Sequence, residues 1–218
     1  MRFAFIAAAL MVAAGQALAQ TSPGGPELQE FEGPFGRPTA SFAADFTVVL
    51  NGVKSDGRYY FIPNRIRWEW ANQVTSIVYL DLWVGYSLIP SRRLYVEVDH
   101  RNSSARSDGP NAPHWTVKRE GEDTDQGLVR TRYHVEARRA NGNTFTATMW
   151  LAEAYNLVVE IDGVAVIGGK TLTSHFKIGR IEIGPQDPAL FYPPADYQRM
   201  GTGLDPMPGG KPQGAVSP

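Results

Sequence analysis

Cysteine is absent from all 218 residues. Disulfides, thiolate metal ligands and a lipid anchor on a processed N-terminal cysteine are thereby excluded, and the fold has to stand on its core alone. A basic excess is also missing: 21 Lys and Arg stand against 22 Asp and Glu. Nucleic acid and anionic lipid therefore cannot be gripped by charge. Helical periodicity is missing as well, since no stretch longer than about two turns repeats apolar residues at helical spacing. The four histidines, His100, His114, His134 and His175, include no pair at metal-ligand spacing. The acidic stretch over 120–127 reads as a hairpin tip; it lacks the spacing and the closing Glu of a calcium loop. Ser87 follows Gly85 and Tyr86 but lacks the second glycine of a nucleophile elbow. No catalytic constellation, metal site or cofactor is implied, and the expected protein is not an enzyme.

What is present begins with an apolar run over 3–14, preceded by Arg2 and followed by Ala17 and Ala19. The small residues two apart and the shortness of the run predict a secretory signal peptide over 1–19, cut after Ala19, and not a membrane span. An alanine-rich signal without disulfides fits a bacterial periplasm. Without Arg2 the 21 basic residues become 20 against 22 acidic ones, a net charge of −2. Residues 20–39 are rich in Pro and Gly and read as a flexible arm. Residues 201–218 have the same character and read as a disordered tail. Between them, 40–200 comprises about 160 residues, enough for one domain with a sizeable core.

That domain reads as strands. Phe42, Ala44, Phe46, Val48 and Leu50 share one face, and Asn51 and Gly52 after them are a hairpin signal. Residues 57–62, 65–70, 74–80, 94–99, 115–120, 129–136, 144–151, 157–161, 164–167 and 171–183 follow in the same manner. Residues 81–89 are ambiguous between a strand and a turn, and 100–113 reads as a loop. Asn141 and Gly142 are a second hairpin signal, and Gly179 marks a bulge or bend. Sequential hairpins of about ten strands make a large antiparallel meander with little helix, and strand twist curls such a sheet into a half-barrel with an apolar interior.

The stretch over 57–70 organises the rest. Ile66, Trp68 and Trp70 point one way; Arg65, Arg67 and Glu69 point the other. Tyr59 and Phe61 add aromatic area before the turn at Pro63 and Asn64. A face built on two neighbouring Trp side chains needs a wide cover or a ligand. Two readings stay open: Phe46, Val48, Tyr59, Phe61, Ile66, Trp68 and Trp70 line a ligand cavity, or they are core anchors. The charged face of Arg65, Arg67 and Glu69 reads as solvated.

Several short motifs resemble the periplasmic lipoprotein-carrier and outer-membrane lipoprotein-receptor superfamily. They are Ser41 and Phe42 with Phe46 and Thr47, then Gly57 to Phe61, then Pro63 to Trp68, then Asp81 to Trp83, and at the far end Pro188 to Tyr197. Their order spans about 160 residues, one domain's worth of chain. The resemblance implies an open antiparallel half-barrel that holds acyl chains under a helical lid. Where the carriers place a lid-tying arginine before the Pro-Asn turn, this chain has Ile62, and residues 100–113 show no helical pattern for a lid. The expected function is a periplasmic binding protein that holds an acyl chain or an acylated peptide on its concave face. The alternative is an interaction module for a protein of the cell envelope, without a small-molecule ligand. The expected partners are thus an apolar ligand or lipidated protein, with an envelope protein as the second possibility and nucleic acid excluded.

Overall fold

The computed structural model describes residues 33–71, 74–99 and 112–200. The signal peptide expected over 1–19, the arm up to residue 32, the loop over 100–111 and the tail over 201–218 lie outside the described residues.

Among the described residues, twelve strands form a single sheet. They are β1 (Phe42–Leu50), β2 (Val53–Ile62), β3 (Arg65–Trp70), β4 (Thr75–Tyr79), β5 (Val84–Ile89), β6 (Leu94–Asp99), β7 (His114–Asp125), β8 (Leu128–Arg138), β9 (Thr144–Ala152), β10 (Leu157–Ile167), β11 (Lys170–Ile183) and β12 (Gln198–Arg199). Their spatial order is β12-β6-β5-β4-β3-β2-β1-β11-β10-β9-β8-β7. Two sequential meanders, β1 to β6 and β7 to β11, are therefore joined by one non-sequential pairing, β1 with β11. All pairings are antiparallel except β12 with β6. Strands β7 and β12 do not pair with each other, so the sheet stays open.

Turn residues explain the meanders. Asn51 and Gly52 have φ of 46° and 82°, and Gln126 and Gly127 have 53° and 78°, as a two-residue turn that matches strand twist demands. Residues 80–83 form a turn and β5 begins at Val84, which resolves the ambiguous stretch over 81–89. Two residues of β11, Gly179 and Arg180, lie between the partners of Ala44 and Phe46, so the expected irregularity at Gly179 is a bulge. Further bulges sit in β10 and β7, and each one sharpens the local curl.

The acidic stretch over 120–125 is not a turn. It continues β7, because Asp123 pairs with Arg130 and Gly121 with Arg132 across the ladder to β8, which sets carboxylates beside guanidinium groups. The glycine-rich arm also ends earlier than its composition suggests. The Asn156 side chain, on a residue with φ of 47°, donates to the carbonyl oxygens of Phe35 at 2.7 Å and Arg37 at 2.9 Å. The Phe35 ring meets that of Tyr133 at 4.9 Å.

Candidate functional site

Curling brings the concave faces of the two meanders together. Phe46 and Val48 come from β1, Tyr59 and Phe61 from β2, and Ile66, Trp68 and Trp70 from β3. All seven are buried, none more than 4% exposed. They share one cluster with Val135, Ala147, Met149, Leu151, Ile161 and Phe176 of the other meander. Within it, Tyr59 stacks on Trp68 at 3.8 Å and 7°. Phe46 stands edge-on to Trp68 at 4.9 Å and to Trp70 at 4.7 Å, the geometry that ring quadrupoles favour. Burial pushes the Tyr59 hydroxyl well above its ordinary pKa.

Two polar atoms stand out in this apolar interior. The indole N–H groups of Trp68 and Trp70 are buried, and among the described residues neither has a hydrogen-bond partner. Such a group costs about 1–3 kcal/mol while it stays unpaired. Beyond the tryptophans the concave face changes in bulk. Trp68 is opposite Ser76, Ser76 opposite Ser87, and Ser87 opposite Val96. One row along, Ile66 is followed by Val78, Gly85 and Val98. Large rings on β2 and β3 thus border strands that offer only small side chains. The register of a strand fixes which residues share a row, but a row spanning four strands is invisible in sequence until the pairing is known.

The charged face of β3 is not simply solvated. Residues 188–197 run across the convex side of the sheet, and Phe191 plugs a second core with Ile77, Tyr79 and Leu88. Arg67 donates to the Leu190 carbonyl at 2.7 Å and to Glu69 at 2.7 Å. Arg65 donates to the Tyr192 hydroxyl at 2.8 Å and lies 5.0 Å from the Tyr79 ring and 4.8 Å from the Tyr192 ring. The Tyr79 hydroxyl donates to the Phe191 carbonyl at 2.7 Å, and desolvation raises its pKa. The arginines clamp the returning chain through backbone carbonyls and aromatic faces. Their signal in the sequence was the tyrosine-rich convex rows of β4 to β6, which a solvated face does not need.

A third cluster lies near the β7–β8 turn. Arg130 pairs with Asp123, and with Asp125 and Glu160 at 3.2 and 2.6 Å. Lys177 reaches Asp125 at 2.8 Å and Glu160 at 3.2 Å. The Lys177 ammonium holds Asp125 below the ordinary carboxylate range, and Lys177 itself is raised by the same hydrogen bond. A cavity of about 160 Å³ opens beside it, lined by Leu128, Tyr155, Val159, Ile178 and Ile181 among others. Among the described residues no group of three or more His, Asp or Glu could hold a metal ion.

Together these features define an open, curled antiparallel sheet with an apolar concave face and a strapped convex one. No family model matches the chain, and no curated protein matches it. Among solved structures, a crystal structure of MucB is 12% identical with a TM-score of 0.40, over 69% of this chain and 56% of that one. The complex of Pseudomonas aeruginosa MucA and MucB aligns at 12% identity and a TM-score of 0.40, over 73% of this chain and 58% of that one. A putative outer membrane lipoprotein-sorting protein domain from Vibrio parahaemolyticus is 4% identical with a TM-score of 0.34, over 69% of this chain and 89% of that one. The chain spans little more than half the length of the MucB chains.

Proposed function

We propose that this chain is a periplasmic binding protein that takes an acylated molecule into its concave face. The observation that carries the reading is the pair of buried, unpartnered indole N–H groups on Trp68 and Trp70, at the border between bulky and small rows. An acyl chain extends over Ser76, Gly85, Ser87 and Val96, while its ester or amide carbonyl accepts from an indole N–H. Each buried CH₂ contributes roughly 0.8 kcal/mol, so a chain of about 12–16 carbons supplies on the order of 10 kcal/mol before ordering costs. An open sheet can widen to admit it, because no ladder closes β7 onto β12. Phe46, Val48, Tyr59, Phe61 and Ile66 back the tryptophans in this role. The periplasmic assignment rests on the signal-like residues 1–19.

A second reading, an interaction module for an envelope protein, is favoured by the edge of β7, which among the described residues pairs only with β8. Displacement of a fluorescent fatty acid from the purified protein separates the two. Displacement by acyl esters at low micromolar concentration, lost in Trp68→Phe and Trp70→Phe where the ring stays and the donor goes, supports the acyl reading. Absence of any acyl binding overturns it.

A further inference from the structure

The two edges of the sheet are treated differently. At one edge, the end of the chain returns as β12 and pairs with β6, with Arg199 donating to Glu97 at 2.8 Å. At the other edge, among the described residues, β7 pairs only with β8. It is 12 residues long and exposed along most of its length. A long free strand of this kind is a template for another chain.

Its charges are not evenly spread. The first half, His114 to Arg119, holds Lys118 and Arg119 with no carboxylate; the second half, Glu120 to Asp125, holds Glu120, Glu122, Asp123 and Asp125 with no cation. A strand whose halves carry opposite charge is complementary to itself when turned antiparallel. The bulge at Glu120 sets the register. Before it, Trp115, Val117 and Arg119 stand opposite Ala137, Val135 and Tyr133 on the concave side; after it, Glu122 and Thr124 continue that side opposite Thr131 and Val129. Lys118 stands opposite His134, and after the bulge Asp123 stands opposite Arg130, both on the convex side. A two-fold axis normal to the sheet keeps each face on its own side. Registers that place residues from before the bulge against residues from after it can meet this condition, and they alone set the basic half against the acidic half. One such register sets Arg119 opposite Glu122 of the second copy and Lys118 opposite Asp123 of the second copy. The same register pairs Val117 with Thr124 and brings the two bulges together at the axis. By symmetry each contact occurs twice, as an isologous interface requires.

The ion pairs already present do not oppose this. Arg119 pairs with Glu122 of its own strand on the concave side, so the two can exchange partners without leaving charge unpaired. Asp123 keeps Arg130 while Lys118, which has no ion pair among the described residues, supplies a second cation. We infer that β7 is a self-association edge, and that two copies join through antiparallel β7 strands into one continuous sheet.

Light scattering on the eluting protein, over a concentration series into the high micromolar range, gives the first test. The expected species is a dimer. Lys118→Asp with Arg119→Glu leaves the edge with carboxylates and no Lys or Arg, and Glu122→Arg with Asp123→Lys sets cations at all four of the paired positions 118, 119, 122 and 123. Each variant is expected to run as a monomer, and an equal mixture is expected to restore a dimer, now between unlike chains. Circular dichroism checks that both variants fold. Because Asp123→Lys faces Arg130, hydrogen exchange on the unmodified protein provides a reading free of substitutions: β7 amides are expected to gain protection as concentration rises. A protein monomeric throughout the series, a dimer that survives both variants, or β7 exchange independent of concentration overturns the inference.

Discussion

The Phe46 ring lies where a side chain on Gly57 would have to be. The two residues are direct cross-strand partners, and a Cβ built on Gly57 would sit 2.5 Å from the tip of that ring and 2.2 Å from the Glu69 carbonyl oxygen. The missing side chain lets Phe46 lie flat across β2 and reach both tryptophans of β3. The glycine that opens the organising stretch of the sequence is therefore a packing device and not a turn.

Gly57→Ala is accordingly expected to destabilise the protein by about 3 kcal/mol, the upper range for overpacking, since a backbone carbonyl has to move as well as a ring. Urea unfolding measures it. A change below about 0.5 kcal/mol, the range of a neutral surface substitution, would show that the aromatic cluster adjusts freely.

Trp68→Ala is expected to cost about 3–5 kcal/mol, as for a large side chain truncated in a packed core. Trp68→Phe should cost far less, because the ring area largely remains and an unpaired donor is removed. Nearly equal losses in the two variants, read from the same urea melts, would show that the indole N–H is satisfied in solution.

Phe191→Ala removes the plug of the convex core and is expected to cost about 3 kcal/mol or more. Arg65→Lys keeps the charge but loses the planar group between two tyrosines, so a drop of about 1 kcal/mol is expected. Thermal melts of both variants, with near-ultraviolet dichroism to follow the tyrosines, check whether residues 188–197 detach.

The acid limb of stability is expected to depend on Lys177. Asp125 is held below its ordinary value of 3.8 by the hydrogen bond from Lys177, and Asp56 is held low by Thr47 and Lys54. A carboxylate with a depressed folded pKa stabilises the fold above its unfolded pKa, and that contribution is lost as pH falls through the folded pKa. Stability should therefore decline below about pH 4. Lys177→Met should lower stability near neutral pH, where Asp125 is ionised, and the gap to the unmodified protein should close as pH falls below about 4. A gap that is the same at neutral and acid pH would remove Lys177 from the acid response.

Strand alternation exposed most of this architecture in the sequence. The buried partners Phe42, Phe46, Tyr59, Trp68 and Trp70 were grouped on one face by a period of two, and the hairpin turns at Asn51–Gly52 and Asn141–Gly142 were legible from residue type. What alternation could not reveal was what lies opposite a face. It did not show that Phe176 and Met149 come over from the other meander, because β1 pairs with β11 across more than a hundred residues of chain. Nor did it show that Leu190 and Phe191 cover Arg67, since a charged row on a strand looks the same whether water or a returning segment faces it. The acidic stretch over 120–127 does end in a hairpin turn, at Gln126 and Gly127, but the strand character of 120–125 is hidden for a similar reason: it comes from Arg130 and Arg132 across the ladder and not from its own β propensity.

The seam between β1 and β11 also governs how the fold can be reached. Without it, the first meander would present Phe46, Trp68 and Trp70 to water, and the second would present Met149, Ile161 and Phe176. Neither half can retain its shape alone, so unfolding should be a single cooperative event and not two. A chain made from its N-terminus has to keep the aromatic half uncommitted until β11 emerges, and then to close a very long loop in one step. Folding of this protein should therefore be slow for its size, and its most exposed interval falls just before synthesis of residues 170–183 is complete.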